Sequence, residues 1–169
     1  MPCAGAYGGC GEGSVMASWQ PAFGVAVLLL AGCSTAPPGD GLVGSLVAVD
    51  DTGLSDTPIS DGWIVAVPQA RGGDLWALGG LQVEPTDIGH VGFEVDEAAL
   101  GGLDAAVAAV DRRGHFRLDA PPGPSVVCQL RPTDRPGRML TMGCAAFDVP
   151  DAGRVEASFG EGGFFVDVS

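Results

Sequence analysis

Five cysteines and two histidines are the side chains of this 169-residue chain most able to do chemistry. A cysteine can form a disulfide or bind a metal ion, and a histidine beside a carboxylate can transfer protons. His90 and His115 lie far from the cysteines, and the spacing of these residues does not match a metal site, so we expect no bound metal. His90 and His115 with Asp111 would make an acid–base cluster, but His115 would lie on the outward face of a hairpin strand, where a histidine is usually solvated. The chain has no nucleophile motif, phosphate-binding loop or zinc-binding motif, and no cofactor is implied.

Cys33 follows a segment that is typical of an export signal. Residues 22–31 form an uncharged apolar block that suits a signal peptide and is too short to span a bilayer comfortably. The block leads into Leu30-Ala31-Gly32-Cys33, which resembles a bacterial lipobox. The resemblance implies a lipoprotein signal peptide over residues 1–33 and a diacylglycerol on the thiol of Cys33. A buried apolar strand that ends in a free cysteine is the alternative.

The residues on either side of this signal define the rest of the leader. Residues 34–41, STAPPGDG, have the composition of a flexible tether between a lipid and a domain. No lysine or arginine precedes Cys33, and residues 1–15 are rich in glycine. Met16 is therefore an alternative start that would give a compact signal peptide.

Cleavage at Cys33 determines how the other cysteines are interpreted. It would remove Cys3 and Cys10 and leave Cys128 and Cys144 as the free thiols. An even pair in an exported domain predicts a disulfide. The chain-entropy model gives a loop of roughly 15 residues about 3 kcal/mol of stabilisation.

The charge of the chain limits its partners. The formal net charge is −13, and the 8 basic residues are all arginine. The cationic surface that nucleic-acid binding needs is missing, so we expect no nucleic-acid partner. The same acidity would repel anionic lipid head groups, so membrane attachment must be covalent or hydrophobic.

The elements that position these residues read as all-β. The chain contains 28 glycines and 13 prolines, which suit short strands joined by turns. Alternation places five residues on the core face. They are Phe116, Leu118, Val126, Cys128 and Leu130. We predict seven strands, over residues 42–49, 62–67, 115–119, 125–130, 139–149, 154–159 and 164–168.

Residues 70–105 interrupt this strand pattern. Asp96 offers an N-cap for a short helix, which we expect to give way to a strand at residues 106–110. Trp76 lies here, in a short amphipathic patch that would cover the sheet edge or present a binding surface. Trp63, on a predicted strand, is the other candidate binding aromatic, with core packing as its alternative.

A loop rich in aspartate joins the first two predicted strands. Asp50, Asp51, Asp56 and Asp61 crowd this loop. Oxygen-rich loops can hold calcium, but the spacing fits no known calcium loop. Solvated carboxylates that form turns are the simpler explanation.

From Leu42 onward, the order of strands and turns resembles the carboxypeptidase regulatory-like, or transthyretin-like, β-sandwich family. Residues 110–118, VDRRGHFRL, are similar to the hairpin of that family, and Pro121-Pro122-Gly123 is similar to the corner that follows it. The insertion at residues 70–105 and the Pro124-Ser125 pair, which replaces the usual tyrosine, depart from the pattern. The resemblance implies a seven-stranded Ig/transthyretin-like sandwich over residues 42–169. It also implies a structural or recognition module without a catalytic site.

Together these features predict a lipid-anchored cell-envelope protein on the extracytoplasmic face of a membrane. Its partners would be the membrane, through the lipid, and an envelope protein. One alternative is a carbohydrate-binding module on wall polysaccharide, which predicts an exposed aromatic platform with Trp63 or Trp76. Another is an envelope hydrolase, which predicts His90 or His115 beside a carboxylate in a cleft.

Overall fold

A computed structural model describes residues 41–50, 52 and 56–169 of the chain. Strands account for 50% of these residues and helices for 14%, so the mostly-β prediction is confirmed. The predicted signal peptide and nearly all of the tether lie outside the described residues. Leu30, Ala31, Gly32 and Cys33 are among the residues outside.

The described residues form ten strands. These are β1 (Leu42–Val49), β2 (Asp56–Pro58), β3 (Trp63–Pro68), β4 (Glu94–Asp96), β5 (Ala106–Ala109), β6 (His115–Leu118), β7 (Gly123–Pro132), β8 (Arg138–Val149), β9 (Arg154–Gly160) and β10 (Gly163–Val168). Each of the seven predicted segments forms a strand. The short strands β2, β4 and β5 are additional to those seven.

Two five-stranded sheets contain these strands. In sheet A the order is β10-β9-β1-β2, and β6 pairs with the first half of β1 on the same side as β2. The β1–β9 pair is parallel and the other pairs of sheet A are antiparallel. In sheet B the order is β4-β8-β7-β3-β5, with all pairs antiparallel.

The first core lies between apolar residues of both sheets. Leu46, Phe116 and Leu118 of sheet A pack there with Ile64 and Val127 of sheet B. Phe116 and Leu118 alternate with the exposed His115 and Arg117, as predicted for this strand. This core therefore holds one face of each sheet.

A second core lies on the opposite face of sheet B. It contains Val126, Cys128 and Leu130 of β7, together with Trp76 and Leu100 of the insertion. The prediction that these three β7 residues share a core with Phe116 and Leu118 is therefore wrong. Both faces of β7 are buried, and Val127 rather than Val126 packs in the first core.

The insertion forms the layer over this second face. Its helices are α1 (Gly72–Leu78), preceded by a 3-10 turn at Gln69–Arg71, and α2 (Glu97–Leu100), followed by a 3-10 turn at Gly101–Leu103. Asp96 caps α2 by accepting the backbone N–H of Ala98 at 2.9 Å, and β5 follows, as predicted. Arg71 holds the layer together by donating to Asp74 at 2.7 Å and to the carbonyl of Gly102 at 2.9 Å. No helix in the described part of the chain is both long and apolar enough to cross a bilayer.

Candidate functional site

The outer face of sheet A is the open sheet face among the described residues, because the insertion covers the outer face of sheet B. Val43 on β1 is 41% exposed and Phe165 on β10 is 51% exposed. Val43 lies between Arg117 of β6 and Arg154 of β9 in the strand register. This face thus combines apolar and charged side chains that a partner could contact.

A depression of about 350 Å³ opens on this face. The strand register places His115, Ser45 and Glu156 in one row across β6, β1 and β9. The lining side chains include Val43, Ser45, His115, Arg154, Glu156 and the C-terminal Ser169. Four of these six side chains can accept a hydrogen bond, whereas Arg154 can only donate one. The four are those of Ser45, His115, Glu156 and Ser169.

Asp111 fixes the turn that leads into this row. Its Oδ1 accepts the backbone N–H of Arg113 at 2.8 Å and that of His115 at 2.9 Å. These hydrogen bonds, the one from His115 first, lower the pKa of the Asp111 carboxyl. The other oxygen, Oδ2, lies 3.8 Å from Nδ1 of His115, close enough for an ion pair when the ring is protonated.

The row contains the residue types of a serine hydrolase, but it lacks an activated serine. Within the described residues, no hydrogen bond joins the hydroxyl of Ser45 to the imidazole ring of His115. The His115 side chain is 60% exposed, so water competes for both ring nitrogens. An acylating serine needs a base within hydrogen-bond reach.

His90 also lies beside a carboxylate, at the other end of sheet A. Its Nδ1 is 2.9 Å from Oδ2 of Asp87, and the ring is about half exposed. The hydrolase alternative predicted a histidine beside a carboxylate, and both histidines meet that part of it. The sequence indicated Asp111 for His115 but not Asp87 for His90, although Asp87 precedes His90 by only three positions.

Neither tryptophan provides a flat exposed platform. Trp76 is 3% exposed and packs edge-on against Phe93 with ring centroids 5.9 Å apart. Trp63 is half-buried and packs against the second core. Trp76 therefore belongs to the second core, and α1 covers a sheet face rather than an edge.

Phe165 is an exposed aromatic that sequence reasoning missed. It borders a depression of about 480 Å³ whose lining includes Asp50, Thr52, Ser158 and Glu161. Alternation along β10 could have found it, because the buried Phe164 requires that Phe165 point outward.

Cys128 and Cys144 form the predicted disulfide, with Cα atoms 4.0 Å apart. Both side chains are buried in the second core. Among the described residues, no three histidine, cysteine or acidic side chains are grouped to hold a metal ion. Asp51, one of the four aspartates considered for calcium, lies outside those residues. No protein-family model, curated protein or solved structure matches this chain.

Proposed function

We propose that this chain is a lipid-anchored cell-envelope protein on the extracytoplasmic face of a membrane. Its domain acts as a non-catalytic structural or protein-interaction module. The observation that carries the proposal is the buried Cys128–Cys144 disulfide, because such bonds persist mainly in oxidising compartments. The lipobox-like Leu30-Ala31-Gly32-Cys33 explains how a domain in such a compartment would be retained at a membrane.

We also infer that the domain is an Ig/transthyretin-like sandwich of seven principal strands over residues 42–169. The two stacked sheets and the hairpin at residues 110–118 support this inference. In that hairpin, Gly114 has φ +79°, and its N–H donates to the carbonyl of Asp111 at 3.0 Å. This acidic turn ending in glycine supports the inference. The short strands β2, β4 and β5 and the insertion are additions to that plan.

The outer face of sheet A is the surface through which the module would contact an envelope protein. It carries two partly exposed apolar side chains, Val43 and Phe165, among charged neighbours. Protein interfaces commonly combine apolar contacts with charged residues at their rim. The insertion, by contrast, already uses its apolar side chains against sheet B.

Site-specific photocrosslinking in cells tests this surface. A photoreactive residue at Val43 or Phe165 should form a discrete crosslinked species on the membrane. The same residue at Val83, which is 77% exposed on the insertion, serves as the matched control. Equal crosslinking at all three positions would contradict the assignment of the outer face.

A second candidate function is binding of a wall polysaccharide at Phe165. The observation that favours it is an exposed aromatic ring beside the oxygen atoms of Asp50, Thr52, Ser158 and Glu161. Rings of this kind stack on sugars, and carboxylates accept hydrogen bonds from sugar hydroxyls. Phe165→Ala should abolish co-sedimentation with purified cell wall, whereas Val83→Ala should not. Co-sedimentation that both variants retain would remove this candidate.

Intact-mass spectrometry of the protein from its native membrane fraction tests the main proposal. The expected mass is that of a chain beginning at Cys33 with diacylglycerol attached, and reduction should add the mass of two hydrogen atoms. Cys33→Ala should abolish the lipid and release the protein from the membrane. An unmodified, full-length, reduced chain in the cytosol would overturn the proposal.

A further inference from the structure

Residues 86–91, here called the 86–91 loop, hydrogen-bond to both sheets. The carbonyl of Ile88 accepts the N–H of Cys144 on β8 at 2.7 Å. The carbonyl of Gly89 accepts the N–H of Phe164 on β10 at 2.9 Å. The loop thus bridges sheet B and sheet A along the side where β8 and β10 lie.

Glycines on both strands make room for this loop. A Cβ atom on Gly143 would clash with the carbonyl oxygen of Gly89, and one on Gly163 would lie 2.9 Å from that carbonyl. Gly163 also has φ +98°, a conformation that other residues rarely adopt. The loop therefore approaches the backbone of both strands closely next to the disulfide.

The ring of His90 links the loop by a hydrogen bond to the turn between β9 and β10. Its Nδ1 lies 2.9 Å from Oδ2 of Asp87, and its Nε2 lies 2.9 Å from the carbonyl oxygen of Glu161. An ionised carboxylate and a carbonyl can only accept hydrogen bonds. Both bonds can therefore form together only when both ring nitrogens carry a proton, and a neutral ring keeps just one of them.

The groups around the ring favour its protonated form. The hydrogen bond to Asp87, followed by the one to the Glu161 carbonyl, raises the pKa of His90. The same bond lowers the pKa of Asp87. The exposed carboxylate of Glu161 adds negative charge from the turn. On β8 the residues beside the loop are Cys144 and two alanines, which do not titrate.

The loop borders a depression that reaches Cys144. This depression of about 380 Å³ is lined by Asp87, Ile88 and Gly89 of the loop and by Cys144 and Phe164. Cys144 itself is 0% exposed, so a reductant reaches its sulfur only if the residues packed around it move. Ile88 and Val91 of the 86–91 loop pack against the core that buries Cys144.

We propose that His90 is a pH-operated latch that holds the 86–91 loop over Cys144 and thereby controls how fast thiols reduce the Cys128–Cys144 disulfide. The latch is closed when the ring is protonated and loosens when the ring is neutral. In the reduction, a thiolate of a dithiol attacks one cysteine sulfur and forms a mixed disulfide with it, while the Cys128–Cys144 bond breaks and the other cysteine leaves as a thiolate. The second thiol of the reagent then attacks the reagent's sulfur in the mixed disulfide, which closes the reagent's own disulfide and releases the first cysteine. Two electrons pass to the cysteines, and each cysteine sulfur takes up one proton. This device does not depend on the lipid anchor.

The first test measures disulfide reduction in the full-length chain. Dithiothreitol is added for a set time, free thiols are alkylated, and mass spectrometry of the Cys128 and Cys144 peptides gives the rate. His90→Gln supplies an amide that donates but does not titrate. At about pH 5.5 it should be reduced about three- to tenfold faster than the wild type, the effect of one lost hydrogen bond on local opening. At about pH 8, where a smaller fraction of the wild-type rings is protonated, the ratio of the two rates should be smaller.

Comparing the two proteins at one pH cancels the pH dependence of the reagent itself. His115→Gln is the matched control, since that ring lies beside Asp111 on another turn, and it should leave the rate unchanged at both pH values. A His90→Gln to wild-type ratio near one at about pH 5.5, or a ratio that is the same at both pH values, would overturn the proposal.

Hydrogen exchange provides a second test that needs no variant. The amides of Cys144 and Phe164 donate to the loop, whereas the amide of Val110 donates to the carbonyl of Gly62 at 2.9 Å. Raising the pH from about 5.5 to about 8 should lower the protection factors of the first two amides relative to that of Val110. Parallel behaviour of all three amides would contradict the latch.

Discussion

Cys128 and Cys144 lie directly opposite each other on β7 and β8, and their disulfide is buried in the second core beneath the insertion. The two cysteines are 16 positions apart, so the bond closes a short loop. It also joins the two longest strands of sheet B at their middle. The disulfide therefore stabilises the sheet on which the insertion packs.

Replacing both cysteines by alanine should lower the free energy of unfolding by about 3 kcal/mol, because the loop is no longer closed in the unfolded chain. Urea denaturation followed by circular dichroism measures this change. Adding reductant to the wild type should produce a similar shift and should not affect the variant. A variant as stable as the oxidised wild type would show that the bond contributes nothing.

Trp76→Ala should lower the free energy of unfolding by about 3–5 kcal/mol, because it leaves a cavity beside Phe93. Val83→Ala, on the same insertion but 77% exposed, should change it by less than about 0.5 kcal/mol. Equilibrium denaturation of both variants gives the comparison. Equal, small effects would mean that Trp76 is not part of a packed core.

Gly143→Ala should displace the 86–91 loop, because its methyl group would meet the carbonyl oxygen of Gly89 and lie 2.8 Å from Cβ of Phe164. We expect a loss of about 1–3 kcal/mol, the usual cost of overpacking. Gly101→Ala is the control, since a Cβ there has no neighbour within 4 Å and the backbone is helical. That change should be neutral or stabilise by up to about 1 kcal/mol. If Gly143→Ala were as stable as the wild type, the close approach of the loop would be contradicted.

Asp111→Asn should lower the free energy of unfolding at neutral pH and should have a smaller effect in acid. The folded state lowers the pKa of Asp111, so its contribution is present above about pH 4 and is lost as the pH falls through the lowered value. Asparagine keeps an oxygen that can accept from Arg113 and His115 but carries no charge. The difference between the urea midpoints of the variant and the wild type should therefore be smaller at about pH 3 than at about pH 7. Asp151→Asn, in another exposed turn, is the control, and a constant difference across this range would refute the prediction.

The alternation of side chains along a strand predicts which residues of the candidate site point outward, but it does not predict what the neighbouring elements pack against. The pattern of residues 115–118 correctly places Phe116 inside and His115 outside, because neighbouring side chains of a strand point to opposite faces. The same rule applied to residues 163–168 would have exposed Phe165. It failed for Trp76, because a helix of seven residues has no apolar pattern long enough to show what its aromatic ring packs against.

By itself, the sequence determined the local features of this protein. The sequence-derived features are the seven predicted strand segments, the Asp111 turn, the Asp96 cap and the Cys128–Cys144 pair. They depend on residues close in the chain or on a count of cysteines. Turn residues, caps and period-two alternation act over a few positions, so they can be read directly.

Only the tertiary structure decided which surfaces are covered. The parallel pairing of β1 with β9 joins segments from the two ends of the domain, and the insertion turns both faces of sheet B into core. Alternation divides a strand into two faces but does not say what lies against each. That choice depends on the apolar area that all the elements bury together, which no short stretch of sequence contains. The open face of sheet A, the buried Trp76 and the loop held by His90 all follow from it.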